Sequence, residues 1–155
     1  MIETTKHVGV VGTGVYFPTT YMTAKEVAEA TGGRWSEADV VSKLGFVKKP
    51  VPGLADGTQD MGVWAAQDCL KRTGIDPQEL DLVLCIGEEW KEYPLTTSGI
   101  YIQEKIGATR AWALDVQQRC CSCVAAMKVA KDMMLSDPEL NTVMVAGGYR
   151  NGDYD

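Results

Sequence analysis

Two spacings of apolar residues succeed each other along this chain, and they predict its elements. Val8-Gly9-Val10-Val11-Gly12-Thr13-Gly14-Val15-Tyr16-Phe17 is β-branched and aromatic. It predicts a strand, ended by Pro18. Thr23 is placed to cap a short helix, Ala24 to Ala30, stopped by Gly32-Gly33. Residues 33–57 are rich in glycine and proline and predict loop, with one helical turn around Glu37 to Leu44. From Thr58 to Thr73 the period becomes helical. Met61, Ala65 and Cys69 share a face, Asp60 and Lys71-Arg72 match the helix dipole, and Gly74 sits where a left-handed cap belongs.

Asp81 to Gly87 is a continuous apolar run of strand length, the signature of a sheet covered on both faces. A helix is predicted from Thr97 to Ile106, ending at Gly107, and a short strand from Ala111 to Val116. Ser122 to Leu135 predicts a helix with Cys123, Met127, Ala130 and Met134 on its apolar face, broken by Asp137-Pro138. Thr142 to Ala146 predicts another buried strand before Gly147-Gly148. Strands alternating with helices imply an α/β fold with a sheet covered on both faces. The polar tail after that strand closes nothing, so the chain is expected to stop in mid-fold.

Composition narrows the function. Hydrophobic residues make up 45% and charged residues 23% of the 155, which excludes a disordered tail and fits one domain or a piece of one. Lys plus Arg is 15 against 21 Asp plus Glu, a net charge of −6, so the whole surface is unsuited to nucleic acid. No apolar run approaches the roughly 18 residues of a membrane span. Met1 to Lys6 lacks the layout of a secretion signal, so the expected location is cytoplasmic, with reduced thiols.

Gly12-Thr13-Gly14 after an apolar segment is half of a dinucleotide fingerprint. The third glycine position is Phe17, and no helix opens there, so two glycines serving close backbone packing is the better reading. Of the five cysteines, Cys69 and Cys85 read as buried small hydrophobes. Cys120, Cys121 and Cys123 lack a second ligand cluster, and the lone His7 is remote, so no metal is expected. Cys120 instead follows a strand and the turn Gln117-Gln118-Arg119, then opens a helix. Helix-terminal N–H groups favour a thiolate, lowering its pKa from about 8.5, and can hold an oxyanion. That is the placement of a covalent acyl-transfer nucleophile, with Cys121 and Cys123 as packing neighbours. Glu88-Glu89, after a strand, reads as either a general base or a solvated acidic loop. Arg34, Lys43, Lys48 and Lys49 form a loose basic stretch suited to a phosphate or an acidic carrier, or simply to solvent.

In order and spacing these residues resemble the thiolase superfamily, specifically β-ketoacyl-[acyl-carrier-protein] synthase III and its relatives. The likeness is carried by Gly12-Thr13-Gly14 with Tyr16 and Pro18, Met61-Gly62 with Ala65-Ala66, Gly74-Ile75 through Gly87, Pro94 through Gln103 to Gly107, Asp115-Val116 with Cys120, and Thr142 to Gly147. It covers nearly the whole chain. It implies that residues 1–155 are the N-terminal half-domain of a five-layered αβαβα fold, with a mixed sheet covered by helices. Cys120 would take an acyl group from acyl-CoA, and a malonyl unit on acyl carrier protein would then lose CO2 and condense with it, as in fatty acid biosynthesis. No bound cofactor is implied beyond CoA and phosphopantetheine thioesters.

The resemblance further implies a homodimer through the strand 111–116, no nucleic-acid or membrane partner, and catalytic His and Asn residues in a C-terminal half, a role onto which His7 does not map. Arg119 and Cys121-Ser122 stand where the family carries small residues, which bears on the acyl tunnel. Anchoring on Gly45-Phe46 puts Lys43 at the family's CoA-binding Arg position, with Trp35 about one helical turn away and Arg34 beside it. Two alternatives accompany this reading. One is a hydroxymethylglutaryl-CoA synthase-like condensation using Glu88 or Glu89. The other is a non-catalytic half that dimerises or pairs with a separate C-terminal half.

Overall fold

The computed structural model describes residues 6–87, 91 and 93–150. The described residues divide into two units, residues 17–56, and residues 6–16 with 57–150.

In the smaller unit, strands Thr20–Thr23 (β1) and Lys48–Val51 (β2) pair antiparallel, with Thr20 opposite Val51. Neither strand was evident in the sequence, because both are polar and β2 contains Pro50, which an edge strand tolerates. Between them lies the expected helix Ala24–Ala30 (α1), with a reciprocal Thr23–Glu26 capping box. Gly32 and Gly33 follow at φ 63° and 84°. A short helix Glu37–Asp39 (α2), capped by Ser36, runs into a wider turn Val40–Leu44 that ends at Gly45 in the left-handed region. Ala24, Ala28 and Val40 form the small core here, with Trp35 and Phe46 against it.

The larger unit opens on the segment 6–16, where the structure corrects the sequence reading. No strand forms. Val10 and Val11 are 67% and 81% exposed, and the segment has no strand partner among the described residues. A strand needs a neighbour for its N–H and C=O groups. This segment lies instead against the helix Thr58–Thr73 (α3): the Val15 amide donates to Asp68 and the Tyr16 ring packs on Trp64. Gly12 and Gly14 do serve close packing. A methyl at Gly14 would run into the Cys69 amide and the Ala65 carbonyl, and one at Gly12 into Thr73. The Ala65–Cys69 face of α3 is therefore covered by this segment, while its core face is Met61, Val63, Ala66 and Leu70. Gly74 caps α3 at φ 73°, as expected.

Strand Leu82–Ile86 (β3) is the centre of a three-stranded parallel sheet. After it come helix Ser98–Lys105 (α4), strand Trp112–Val116 (β4), helix Ser122–Ser136 (α5) and strand Val143–Ala146 (β5). The order is β4-β3-β5, with Leu82 aligned to Trp112 on one side and Val143 on the other. Alternate β3 side chains enter opposite cores. Val83 and Cys85 join α3 and α4, while Leu82 and Leu84 join Ala126 and Ala130 of α5. That is why β3 reads as an unbroken apolar run, and the sheet is covered on both faces as expected. The inward face of α5 is Ser122, Ala126 and Ala130. Of the expected face, Ala130 is buried and Met134 packs against the same core, whereas Cys123 and Met127 are exposed, so the reading fails only over the first turns of the helix, where Ser122 and Ala126 face inward. Among the described residues no helix is long and apolar enough to cross a membrane.

Close packing of the 6–16 segment gives a direct test. Gly14→Ala should destabilise the protein by about 1–3 kcal/mol in a urea titration. Gly9→Ala, with nothing within 4 Å of the new methyl, should change it far less.

Candidate active site

The site begins at the C-terminal end of β4. Asp115 aligns with Cys85 across the sheet and turns its carboxylate to the start of α4. There it accepts the Ser98 amide at 3.1 Å and the Gly99 amide at 2.8 Å. The helix's unpaired N–H groups and positive end thus meet a full negative charge. Lys91 completes the arrangement, its ammonium 3.0 Å from the same carboxylate and 2.9 Å from the Thr96 carbonyl. Both charged side chains are under 20% exposed, at 19% and 17%. Gly99 suits this close approach, since a methyl there would lie 3.0 Å from the Leu114 carbonyl oxygen, tighter than ordinary contact. Gln59 of α3 braces the same helix start through Ser98 and Thr96.

Beyond Val116 the chain makes a tight turn. Arg119 adopts φ 53°, the one non-glycine residue in the left-handed region among those described. The Cys121 amide donates to Gln118 and the Ser122 amide to Arg119, each at 3.0 Å. Ser122 is buried, and its hydroxyl accepts the Gln118 amide at 2.8 Å. It also lies 2.9 Å from the Gly87 carbonyl and 2.7 Å from that of Arg119. The turn is therefore tied to the end of β3. Cys120 sits at its apex and is exposed, with Cys121 as the cap of α5. Strand, turn, cysteine and helix follow in the expected order. The sequence did not reveal that the amides of Cys121 and Ser122 are committed to the turn. The remaining amides of the first turn of α5 are those of Cys123 and Val124.

The other cysteines divide as their burial dictates. Burial, aided by the nearby Asp115 charge, pushes the Cys85 thiol up to about 12, and burial also raises Cys69. Cys120, Cys121 and Cys123 are all exposed, so the last two are not packing neighbours.

In the smaller unit, Lys43 pairs with Asp39 at 2.8 Å, and its ammonium lies 5.6 Å from the Trp35 ring centre. That pairing and two Ser36 hydrogen bonds hold Asp39 down at about 2. The structure thus brings Trp35 and Lys43 together, and Arg34 beside them is exposed. His7 is also exposed. Glu88 and Glu89 lie outside the described residues.

Two measurements check this geometry. Asp115→Asn should destabilise the protein by about 2 kcal/mol, because a charge-assisted pair and part of the helix cap are lost together; denaturant titration reads it. Brief iodoacetamide treatment near pH 8, mapped by peptide mass, should label Cys120, Cys121 and Cys123 well before Cys69, with Cys85 last.

No family model matches the chain. It is 34% identical over 131 residues to a hydroxymethylglutaryl-CoA synthase of Thermococcus kodakarensis, covering 84% of this chain and 35% of that protein. It is 25% identical over 138 residues to a β-ketoacyl-[acyl-carrier-protein] synthase III of Clostridium perfringens, covering 88% of this chain and 41% of that protein. Among solved structures, the priming β-ketosynthase of the R1128 polyketide pathway superposes with a TM-score of 0.73 at 27% identity, covering 82% of this chain and 37% of that one. The 3-oxoacyl-[acyl-carrier-protein] synthase III of Aquifex aeolicus superposes at 0.76 with 20% identity, covering 87% and 42%. The chain thus spans about a third to two fifths of the length of these proteins. With the layered fold matched over most of its residues, the chain belongs to the thiolase superfamily, among the relatives of ketoacyl synthase III and hydroxymethylglutaryl-CoA synthase.

Proposed function

We propose that Cys120 is the covalent acyl carrier of a condensing acyltransferase. The observation that supports this most directly is the seating of its thiol: exposed, at the apex of a turn that takes the chain from β4 into α5. A nucleophile held this way presents sulfur to a substrate while the backbone beneath it is fixed by the Ser122 hydrogen bonds. The thiolate adds to the thioester carbonyl of acyl-CoA. The carbon–sulfur bond to CoA then breaks, and CoA leaves as its thiol with the proton that Cys120 gave up. Positive potential at the start of α5 favours both the thiolate and the oxyanion formed on addition.

In the second half-reaction, a malonyl thioester on the phosphopantetheine arm of acyl carrier protein loses CO2. The resulting enolate carbon attacks the acyl-Cys120 carbonyl and displaces the thiolate. Arg34, Trp35 and Lys43 are candidates, within their own unit, for holding a phosphate of CoA, for which Asp39 would compete at Lys43. The homodimer would form through β4. That strand is one of the two outer strands of the described sheet, and its Trp112 is 51% exposed.

A second reading is favoured by the identities, 31–36% to hydroxymethylglutaryl-CoA synthases against 23–27% to ketoacyl synthases III. Here acyl-Cys120 condenses with acetoacetyl-CoA, and Glu88 or Glu89 serves as base. Incubating the native protein with acetyl-CoA should add one acetyl mass, mapped to Cys120 and absent from Cys120→Ala. No adduct in a folded, reduced protein overturns the acyl-carrier assignment. Adding malonyl-carrier protein or acetoacetyl-CoA to the acetylated protein then separates the two readings, by CO2 release or by formation of a 3-hydroxy-3-methyl diacid thioester.

A further inference from the structure

Cys120 and Cys123 are the ends of a C-x-x-C unit that leads from a strand, through a turn, into a helix. Their separation follows from the backbone. The two residues between them are Cys121, at φ −96° and ψ 4°, and Ser122, the first residue of α5. Two successive residues in this region close a turn with its end Cα atoms less than about 7 Å apart. A disulfide spans Cα atoms about 4.4–6.8 Å apart. The other pairings fit worse. Cys120 and Cys121 are adjacent, with Cα atoms about 3.8 Å apart across a trans peptide, too close for a disulfide. Cys121 and Cys123, two apart at a helix start, point to different sides. Both Cys120 and Cys123 are exposed, and both are reduced thiols in the structure. The exposure of Cys123 is itself informative. Its helical neighbours Ser122, Ala126 and Ala130 bury the inward face of α5, so a thiol at 123 adds nothing to the core.

We infer that Cys120 and Cys123 form a redox-active dithiol that closes to an intramolecular disulfide on reaction with small-molecule disulfides such as oxidised glutathione. The Cys120 thiolate attacks one sulfur of the small disulfide, forming a mixed disulfide and releasing one thiolate. Cys123, losing its proton, attacks the Cys120 sulfur, forms the Cys120–Cys123 bond and expels the second thiolate. The two protein thiols are oxidised, the small disulfide is reduced, and the two protons end on the released thiols. Resting on the acyl-carrier reading, this closes the condensing site: the sulfur that would take the acyl group has no thiolate until the bond is reduced. Cys121 stays outside the pair.

The test uses the full native protein, reduced, then equilibrated with oxidised glutathione, acid-quenched and alkylated. The expected product is a Cys120–Cys123 cross-linked peptide lighter by two hydrogens and reversed by dithiothreitol. Rapidly alkylated thiols should fall from three to one, the survivor being Cys121. Cys121→Ser should still form the bond, and Cys123→Ser should stop at a glutathione adduct on Cys120. A glutathione adduct that persists on Cys120 in the wild type, or a bond to Cys121, overturns the inference. So does retention of all three thiols. Acetylation of the reduced Cys123→Ser protein is read separately. If acetylation fails while the cross-link forms, the acyl-carrier reading falls and the dithiol stands; if the cross-link fails while acetylation proceeds, the reverse holds.

Discussion

The carboxylate of Asp115 is the point on which the larger unit turns. It stands at the end of β4, holds the first two amides of α4 and takes the Lys91 ammonium, all in a setting mostly withdrawn from water. A carboxylate so placed is stabilised only while every donor stays in position, so the geometry is mutually enforcing. Lys91, which follows β3 in the sequence, is held at this carboxylate. Ser98 and Gly99 fix where α4 begins, and Gly99 lets that helix approach β4 to backbone contact. The carboxylate therefore sets the end of the strand from which the cysteine-bearing turn departs.

The turn itself is anchored from the other side. Ser122 is a buried hydroxyl with three polar neighbours, and one of them, the Gly87 carbonyl, belongs to the chain just beyond β3. Asp115 and Ser122 together clamp residues 116–121 between the ends of two adjacent parallel strands. A non-glycine residue in the left-handed region costs roughly 1 kcal/mol, and Arg119 bears it where these anchors leave the chain little choice. The result is an exposed thiol on a rigid base, which suits a group that must be attacked and released repeatedly without moving its support.

Much of this was legible in the sequence, for local reasons. The helix 58–73 carries its own start, dipole charges and glycine stop, and β3 carries its double-sided burial as an apolar run. The segment 8–17 misled because β-branched residues report a preference for extended backbone, whereas a strand also needs a partner that composition does not supply. The pair β1 and β2 was missed for the opposite reason: its ladder forms despite polar residues and a proline. On α5 the expected face held at Ala130 and Met134 and failed at Cys123 and Met127. Apolar residues continue round to Val124 and Met127, so the sequence offered more than one candidate stripe; packing with Leu82 and Leu84 chose Ala126 and Ala130, and the hydrogen bonds of Ser122 turned that residue inward. The role of Ser122 was missed for a similar reason, since a serine beside three cysteines gives no sign that it is the buried brace.

The phase of α5 also decides the chemistry that the cysteine cluster can perform. Had the stripe run through Cys123 as the sequence suggested, burial would have raised that thiol's pKa as it does for Cys85, leaving Cys120 without a resolving partner. Because Ser122 takes the inward position, Cys123 is turned out to the same solvent that reaches Cys120. One hydroxyl thus braces the turn beneath the nucleophile and at the same time keeps a second sulfur within reach of it. A nucleophile flanked by small inert residues would react with thioesters alone. One followed at i+3 by an exposed thiol also answers to the thiol–disulfide balance around it.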